Sequence, residues 1–572
     1  MLNWHMFLNM VHMQSPKYLR VKKAIKYITL LFLLFFLFLV FFANRFVEPV
    51  LRDRLHTLIV QGSDSLYYYE LEKLSANFFG GNVEVENLHI KIDSTRYYEM
   101  LQKNSLPSLT MQLDLLHGKV KGLGVFSLIF GKKIKISEVI SKEADIKLSR
   151  HIHSDTAEYT NVLPLWKAIQ PDIKSISIHK INLDGVKLLY RNADTSESVK
   201  LQFDRCEALF NDVRIDSAAS ADTSRIGFAK YLSMRFYDLK FRTPDSTYKM
   251  KAELIHYSSL NKVLQVHDFK LQPTLEGGDF FKYASVQKSR YLVQFKELRF
   301  TNVLLDRFIH NNMIIADSVL VYQPEVEIGN DKTLPPDMES KIGKYPHQKL
   351  LKAEPIVMIK GMRIQNGRIE YTEKNDKTSK KGKLVIHEMN GFFSNVTNSG
   401  AAIKRDPLCT ATINGKIFDT SPIDAKFIYY LDSTEGEFDA QGQIQNLKAA
   451  QLNEVTEPLA NIRLTSLNIG LLKFQMHGDD FSTKGKVEMK YSDLAIILRK
   501  TDEETGTIKT KKFLTKIINK FSIYPSNPWE GQERIANDVV YARTSSKSFF
   551  GVVWKTIFFG MQNIMMKTGR YQ

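Results

Sequence analysis

The residues best suited to chemistry lie in one short polar stretch. His151, His153 and Asp155 form an H-x-H-x-D sequence, and imidazole and carboxylate groups are common zinc ligands. A second metal ion in such a site needs another histidine directly after the aspartate, and Thr156 stands there. The neighbouring residues are polar and follow a predicted strand, so a solvated loop is the simpler interpretation. An exported hydrolase remains an alternative that depends on these three residues alone.

Other motifs give no support to catalysis. Gly122 and Gly124 lack the third glycine and the βαβ setting of a dinucleotide site, and the sequence has no Walker loop, G-x-S-x-G or H-E-x-x-H motif. Cys206 and Cys409 stand far apart among apolar neighbours, which favours two buried small residues, although pairing in an oxidising compartment stays open. We therefore predict that the protein is not an enzyme and has no cofactor or metal.

A long apolar run near the N-terminus predicts that the chain is anchored in a membrane. Residues 27–44 carry no charge and consist mainly of Leu and Phe, which is long enough for a helix that crosses a bilayer. The basic residues that precede this run, with no acid among residues 1–26, predict a cytoplasmic N-terminus and export of everything after residue 45. A cleaved signal peptide is the alternative, but no A-x-A site follows the run.

Composition describes a folded and basic body. Hydrophobic residues make up 44% of the chain and charged residues 25%, as in folded proteins. The net charge of +17, from 79 basic and 62 acidic residues, could attract nucleic acid or an anionic membrane. The lysines are spread in twos and threes between apolar residues, without the basic stripe and stacking aromatic residues of a nucleic-acid site. Together with the predicted export, this makes nucleic acid an unsuitable partner.

Strand patterns begin after a short helix. Residues 49–61 place leucines on one helical face, which predicts an amphipathic helix within a juxtamembrane segment, residues 45–75. Further on, apolar and polar residues alternate, which is typical of half-buried strands. Residues 124–131 interrupt this pattern and predict a short helix or turn. The alternating stretches include 82–93, 109–115 and 132–137.

An internal duplication organises the strands. One apolar template occurs four times, and its first two copies are offset by 42 residues, as Ile178 follows Ile136. The later pair of copies lies about 180 residues after the earlier pair, and each copy breaks strict alternation once, as a β-bulge does. The copies are 136–148, 178–190, 319–328 and 359–371, and a neighbouring segment, 201–213, recurs as 384–396.

Such repeats favour stacked strands that share one apolar surface. We predict a mainly β fold in which the transmembrane helix is followed by an elongated, curled, repetitive β-sheet, groove-like, with a few short helices. Its halves are residues 76–310 and 311–500, followed by a C-terminal segment, 501–572. Several ordinary β-sandwiches are the alternative. Ten apolar residues of the repeated strands are candidates for the groove lining, and for each of them a plain closed core is the alternative. They are Val83, Val85, Ile136, Ile178, Ile181, Leu183, Val319, Val321, Ile359 and Ile364.

The C-terminal segment contains an apolar, aromatic stretch without acids, residues 547–567. Lysine and amide residues interrupt it, so it is not predicted to cross a membrane. We predict an amphipathic helix in a membrane interface, and a helix that caps the sheet is the alternative. The candidate interface residues are Phe549, Trp554, Lys555, Phe558 and Lys567.

The anchor, the opening sequence ANFFGGNVEVENLHI (76–90) and the strand template together resemble the AsmA-like proteins, relatives of the bridge-like lipid transfer proteins. The resemblance is closest in residues 442–500. It implies a periplasmic protein anchored in the inner membrane that binds or conducts phospholipid along an apolar β-lined groove and supports the outer membrane and envelope. The implied partners are membrane lipids, the inner membrane and outer-membrane or envelope proteins. A membrane-tethered scaffold that binds an envelope assembly protein without carrying lipid is the alternative.

Overall fold

A computed structural model describes most of the chain after residue 47. The described residues are 27, 29–31, 33–34, 48–53, 55–57, 59–77, 80–107, 109–124, 133–151, 174–192, 200–222, 224–226, 228–243, 245–275, 279–418, 420–501 and 508–567. Residues 1–26, most of the predicted transmembrane helix and residues 125–131 of the predicted turn lie outside these ranges. Within the ranges, no helix has the length and apolar character that a membrane crossing requires.

The described chain is mainly β, as the alternating pattern predicts. Its strands belong to one long mixed sheet of 21 strands. In chain order they are β1 (Tyr67–Asn77), β2 (Asn82–Ile92), β3 (Leu109–Lys121), β4 (Lys133–Arg150), β5 (Ser175–Asn192), β6 (Lys200–Ile215), β7 (Ala229–Arg242), β8 (Tyr248–Ser258), β9 (Val263–Pro273), β10 (Arg290–Thr301), β11 (Met313–Tyr322), β12 (Glu325–Asp331), β13 (Ile356–Lys374), β14 (Lys381–Thr397), β15 (Leu408–Ile417), β16 (Ser421–Tyr430), β17 (Phe438–Lys448), β18 (Ile462–Gly478), β19 (Ser482–Thr501), β20 (Ile508–Thr510) and β21 (Ile535–Ala542).

The helices are mostly short, as predicted, and connect strands. Residues 48–53, 55–57 and 59 are helical, where the sequence predicts the amphipathic helix before β1. A 3₁₀ turn spans Gln61–Ser63, and a π-helical turn, Ile518–Ser522, continues α8. The α-helices of the described chain are α1 (Ser94–Gln102), α2 (Ser217–Ala221), α3 (Asp279–Lys282), α4 (Leu305–Asn311), α5 (Pro346–Leu351), α6 (Gly400–Ile403), α7 (Ala449–Ala460), α8 (Lys512–Ile517) and α9 (Phe549–Met565).

The chain divides into two compact units. The first consists of Met1–Leu188, Leu209–Asp222 and Phe228–Lys230. The second consists of Leu189–Ala208, Thr223–Gly227 and Tyr231–Gln572. Strands β5, β6 and β7 therefore contribute residues to both units.

In the first unit, β1 to β4 pair antiparallel in chain order. Two ion pairs join β4 to the next strand, β5: Lys180 lies 3.4 Å from Glu138, and Lys187 lies 3.9 Å from Asp145. The two residues of each pair are 42 positions apart, so the offset between the strands is constant. A constant offset means that two neighbouring strands run parallel. The first two copies of the sequence template therefore lie side by side as a parallel pair, β4 and β5.

The second unit repeats this arrangement. β11 and β12 both pair parallel with β13, with Val319 opposite Met362 and Val326 opposite Ile369. The neighbouring strands are antiparallel from β7 to β10 and from β13 to β19. The later two copies of the template are thus paired in the same way as the first two.

Each copy of the template has one residue in the left-handed region, at the same place in the pattern. Such a residue in a strand accommodates an extra position, so that the apolar side chains before and after it face the same side of the sheet. These residues come after the I-x-x-I spacing of each copy, so they mark a later break in alternation, such as the one between Leu183 and Val186 on β5. They are Glu143 (φ 56°), Gly185 (φ 67°), Gln323 (φ 49°) and Asn366 (φ 52°), and the recurring neighbouring segment has Asp212 (φ 50°) matched by Asn395 (φ 53°).

Each unit has its own apolar core. In the first, Leu51 and Leu55 of the helical segment before β1 pack against a cluster that contains Leu74 and Val83. In the second, the largest cluster lies between strands β15 to β21 and the helices packed on them. Its innermost side chains, all at most 1% exposed, include Tyr345, Phe438, Ile469, Leu472 and Met489.

Candidate functional site

Two rows of side chains cross the second unit on one face of the sheet. Each strand from β7 to β19, except β12, contributes one residue to each row, directly opposite its neighbours in the strand pairing. Directly opposed residues point to the same face, so the rows form a continuous surface. Row 1 is Phe236, Ile255, Val266, Leu298, Val321, Ile364, Gly391, Ile413, Ala425, Gly442, Phe474 and Val487. Row 2 is Met234, Tyr257, Leu264, Phe300, Val319, Met362, Phe393, Ala411, Phe427, Ala440, Met476 and Gly485.

The other face of the same strands is mostly polar. The residues that lie between rows 1 and 2 along the strands point to this other face. From β8 to β19 they are His256, Gln265, Arg299, Leu320, Arg363, Phe392, Thr412, Lys426, Gln441, Gln475 and Lys486. Part of this face, around Lys426 and Gln475, forms a cleft of about 510 Å³. Lysines and carboxylates alternate in the cleft, and Lys486 lies 2.6 Å from Glu488 and lowers the pKa of that carboxyl group. This cleft is therefore a solvated ionic surface.

Burial along the two rows changes from one end to the other. From β15 to β19 most members are buried, and Ala411, Phe427 and Ala440 are 0%, 6% and 1% exposed. From β7 to β14 most members are half-buried; the exceptions are Tyr257 on β8 and Val319 on β11, the strand against which α4 packs. Half-buried apolar side chains keep carbon surface in contact with water, and a continuous surface of this kind is typical of a binding site.

The predicted lining residues of the second unit fall on or near these rows. Val321 and Ile364 are neighbours in row 1, and Val319 belongs to row 2. Ile359 is half-buried and lies opposite Val396, which packs against the main core. The structure therefore brings together residues that are up to 45 positions apart in the sequence, because β11 and β13 pair in register.

Three of the predicted lining residues of the first unit belong to its apolar core. Val83 is buried at 6% exposure, and Val85 and Ile136 pack around it beneath the helical segment before β1. On β5, the three predicted residues are half-buried: Ile178, Ile181 and Leu183.

The C-terminal helix α9 packs on the sheet, against β19 and β21. The structure places Phe549 in the core, at 4% exposure, where its ring contacts those of Tyr345, Phe427 and Phe438. The first turn of α9 is capped by Ser548, whose side-chain hydroxyl oxygen accepts a hydrogen bond from the Gly551 amide. One face of the helix is thus part of the main core rather than of an open surface.

The opposite face of α9 carries aromatic side chains at four-residue spacing. Phe550 is 63% exposed and Trp554 46%, and Trp554 leans on the half-buried Phe558 at 6.3 Å between rings. Lys555 lies 5.6 Å from the centre of the Phe558 ring, while Lys567 donates a hydrogen bond to the Lys520 carbonyl. Phe550 is not among the predicted interface residues, although it stands four residues before Trp554 in the sequence. Its ring lies 6.4 Å from that of Phe427, a member of row 2.

A buried ion pair fixes the entry to α9. Arg543 Nη1 lies 2.6 Å from Asp480 Oδ1, with side-chain exposures of 0% and 4%. The guanidinium also donates to the carbonyls of Lys341 and Lys547 and lies 4.2 Å from the centre of the Tyr345 ring. Every charge in this cluster has a partner, which is the condition for burying it. The cluster is therefore structural, and it joins the long β12–β13 connection to the start of α9.

The H-x-H-x-D sequence is only partly described. His151 is 3% exposed, with Nε2 3.1 Å from Thr110 Oγ1 and its ring 5.6 Å from that of Tyr97. His153 and Asp155 lie outside the described residues. His151 thus belongs to a local core around α1.

Both cysteines are free and buried, as the apolar neighbours predict. Burial raises the pKa of the Cys206 thiol to about 12 and that of Cys409 to about 11, so neither is a reactive thiolate at neutral pH. In the part of the chain that the structure describes, no three His, Cys, Asp or Glu side chains are grouped as metal ligands. Comparison with known proteins finds neither a family model nor a curated sequence that matches this chain.

Proposed function

We propose that this chain is a membrane-anchored envelope protein that binds phospholipid by laying its acyl chains along rows 1 and 2, as the resemblance to AsmA-like proteins implies. The observation that carries the proposal is the continuity of these rows. Their members lie opposite one another across strands β7 to β14, and most of them are half-buried, while the other face of the strands is mostly polar. The proposed site is a groove along this face.

Such a groove would lower the large free-energy cost of exposing lipid acyl chains to water. A diacyl phospholipid with about 30 methylenes that leaves a bilayer for water loses ~0.8 kcal/mol for each, on the order of 20 kcal/mol in all. An apolar surface that covers the acyl chains removes most of this cost. Burial of the lining side chains adds to the free energy of binding, because the same contact removes their carbon atoms from water.

Helix α9 is proposed to close one end of the groove. From β15 to β19 the rows are filled by the main core, and Phe549 of α9 occupies the space between Phe427 and Phe438. Bound acyl chains therefore occupy β7 to β14, and the exposed ring of Phe550 lies where they meet the closed part.

The proposed location is the inner membrane of a Gram-negative envelope, with the bulk of the chain in the periplasm. The uncharged run 27–44 and the basic residues before it support this orientation. The partners in this proposal are the inner membrane, its phospholipids and outer-membrane or envelope proteins.

The second candidate is a tethered scaffold for an envelope assembly protein. The filled core between β15 and β21 favours it for that part of the unit, because a filled core has no room for lipid. In this case the half-buried rows of β7 to β14 would be covered by a protein chain.

Photo-crosslinking separates the two candidates. A benzophenone amino acid replaces Ile364 of row 1 in the full chain, and the protein is crosslinked in intact cells and analysed by mass spectrometry. We expect phospholipid to be attached at position 364, because its side chain lies on the apolar face. The matched control is Arg363, its neighbour on the same strand, which is exposed on the polar face.

The control position should capture little or no lipid. Equal capture at 363 and 364, or no phospholipid at 364 and none recovered from the purified chain, overturns the proposal. A single defined protein attached at 364 in place of lipid supports the scaffold.

A further inference from the structure

The edge of β19 is covered in sections by different parts of the C-terminal chain. Residues Ser482 to Glu488 pair with β21, Tyr491 exchanges backbone hydrogen bonds with Asn527, and the last residues pair with β20. The stretch between them is covered by α8, its capping residue Lys511 and the π-helical turn after it. We call these residues, 511–522, the lysine helix. Its place at the edge is therefore determined by strand β19.

The inner face of the lysine helix is bonded to that edge. Asn519 accepts from the Ile496 amide at 2.9 Å and donates to the Ile496 carbonyl at 2.7 Å, as a neighbouring strand would. Thr515 Oγ1 accepts from the Leu498 amide at 3.0 Å. These bonds satisfy the strand's backbone and hold the helix in one orientation, so its other face is fixed as well.

That other face exposes large apolar side chains. Phe513 is 76% exposed and Leu514 is 45% exposed. Removing such a side chain from water is favourable, because it removes apolar carbon surface from contact with water. The described chain thus leaves most of Phe513 and nearly half of Leu514 in contact with water.

The apolar pair is surrounded by lysines. Residues 508–522 contain five lysines and no acid, and all five lysines are exposed: Lys509, Lys511, Lys512, Lys516 and Lys520. Phe513, Lys516 and Lys520 follow at three- and four-residue spacing, so they share one helical face. Three acids precede the helix in the sequence, Asp502, Glu503 and Glu504, and lie outside the described residues.

We propose that the lysine helix binds the surface of an anionic phospholipid bilayer, with Phe513 and Leu514 inserted and the lysines at the lipid phosphates. A short amphipathic helix with a basic rim and an aromatic anchor is suited to that boundary. Each lysine near an anionic leaflet is attracted to the lipid phosphates, and salt screens this attraction. The proposal stands apart from the groove, because it uses a different face and different residues.

The test uses the full chain in nanodiscs of neutral lipid. Leu514→Cys is labelled with the polarity-sensitive dye NBD, since the two native cysteines are buried and do not react. Vesicles of phosphatidylcholine, with or without phosphatidylglycerol, are then added. We expect a several-fold increase in fluorescence and a blue shift with the anionic vesicles alone, both reduced by salt.

Two further proteins make the test specific. The pair Lys512→Glu and Lys516→Glu, in the labelled background, should lose the response, since these side chains are exposed and removing them leaves the core intact. A label at Met338→Cys, which is 88% exposed but outside the lysine helix, should not respond. The proposal is overturned if the label at 514 is silent, responds equally to both kinds of vesicle, or responds unchanged in the double variant. Crosslinking at Ile364 is independent of all three results, so failure here leaves the groove proposal standing.

Discussion

His347 shows how burial determines the behaviour of a single side chain. It lies on α5 with 3% exposure, and its ring is 5.0 Å from that of Tyr429. Neither ring nitrogen has a side-chain or backbone hydrogen bond of good geometry among the described residues, although the Gly436 backbone is close enough to raise its pKa slightly. Desolvation dominates and lowers the pKa of His347 to about 4. The histidine is therefore neutral in the folded protein at all but acidic pH.

A pH dependence of stability follows from this residue. The unfolded chain has a histidine pKa near 6.5, so between pH 6.5 and 4 it binds more protons than the folded chain. The contribution to stability is complete above pH 6.5 and decreases as the pH falls, by about 3 kcal/mol at pH 4. We expect His347→Phe to flatten this part of the profile of unfolding free energy against pH, measured by denaturant titration. An unchanged profile in this variant would show that other groups cause the acid sensitivity.

At the scale of elements, left-handed residues keep the apolar face continuous. Glu143, Gln323 and Asn366 adopt this conformation without being glycine, which costs each of them about 1–2 kcal/mol of backbone strain. The surrounding strands compensate, because the extra residue lets apolar side chains on both sides of it remain on one face.

Helix α9 depends on one close contact with the sheet. A Cβ atom at Gly560 would lie 2.4 Å from Val487 Cγ2, so the helix can approach β19 only without a side chain there. We expect Gly560→Leu to reduce the free energy of unfolding by about 1–3 kcal/mol, because the helix must move away from the strand. Denaturant titration of the full chain measures the change.

A second glycine of the same helix is the control for this prediction. A Cβ atom at Gly551 meets only Ser548 Oγ, at 3.2 Å. Gly551→Ala should therefore leave stability unchanged or raise it by up to about 1 kcal/mol, through the better helix propensity of alanine. Equal losses in both variants would indicate that the helix is sensitive to any substitution and that the contact with Val487 is not special.

At the scale of the whole molecule, we expect the proposed anchor and the folded body to have separable roles. Leu51 and Leu55, which pack on the first unit, come after the apolar run 27–44. A chain that begins at Phe46 keeps them, so we expect it to fold and to co-purify with phospholipid but to fail to replace the full chain in cells. Circular dichroism, lipid analysis and complementation measure the three properties. Full complementation by the truncated chain would contradict the role given to the anchor.

Local sequence determined much of this protein. Two-residue alternation predicts the strands, since successive side chains of a strand face opposite sides. The four template copies predict the repeat, because segments with the same apolar spacing form strands with the same apolar faces. Rows 1 and 2 could not be predicted in this way, because they depend on the register between strands. That register is set by pairing between residues far apart in the chain.

The tertiary structure alone decided which apolar surfaces are covered. The sequence of α9 has the same amphipathic pattern whether its apolar face meets a membrane or a sheet, because the hydrophobic effect depends on the area removed from water and not on its partner. Contact with strands more than 60 residues earlier places Phe549 in the core, while Phe513 of the shorter lysine helix stays exposed. Sequence determined where apolar faces occur, and long-range packing determined which of them remain open.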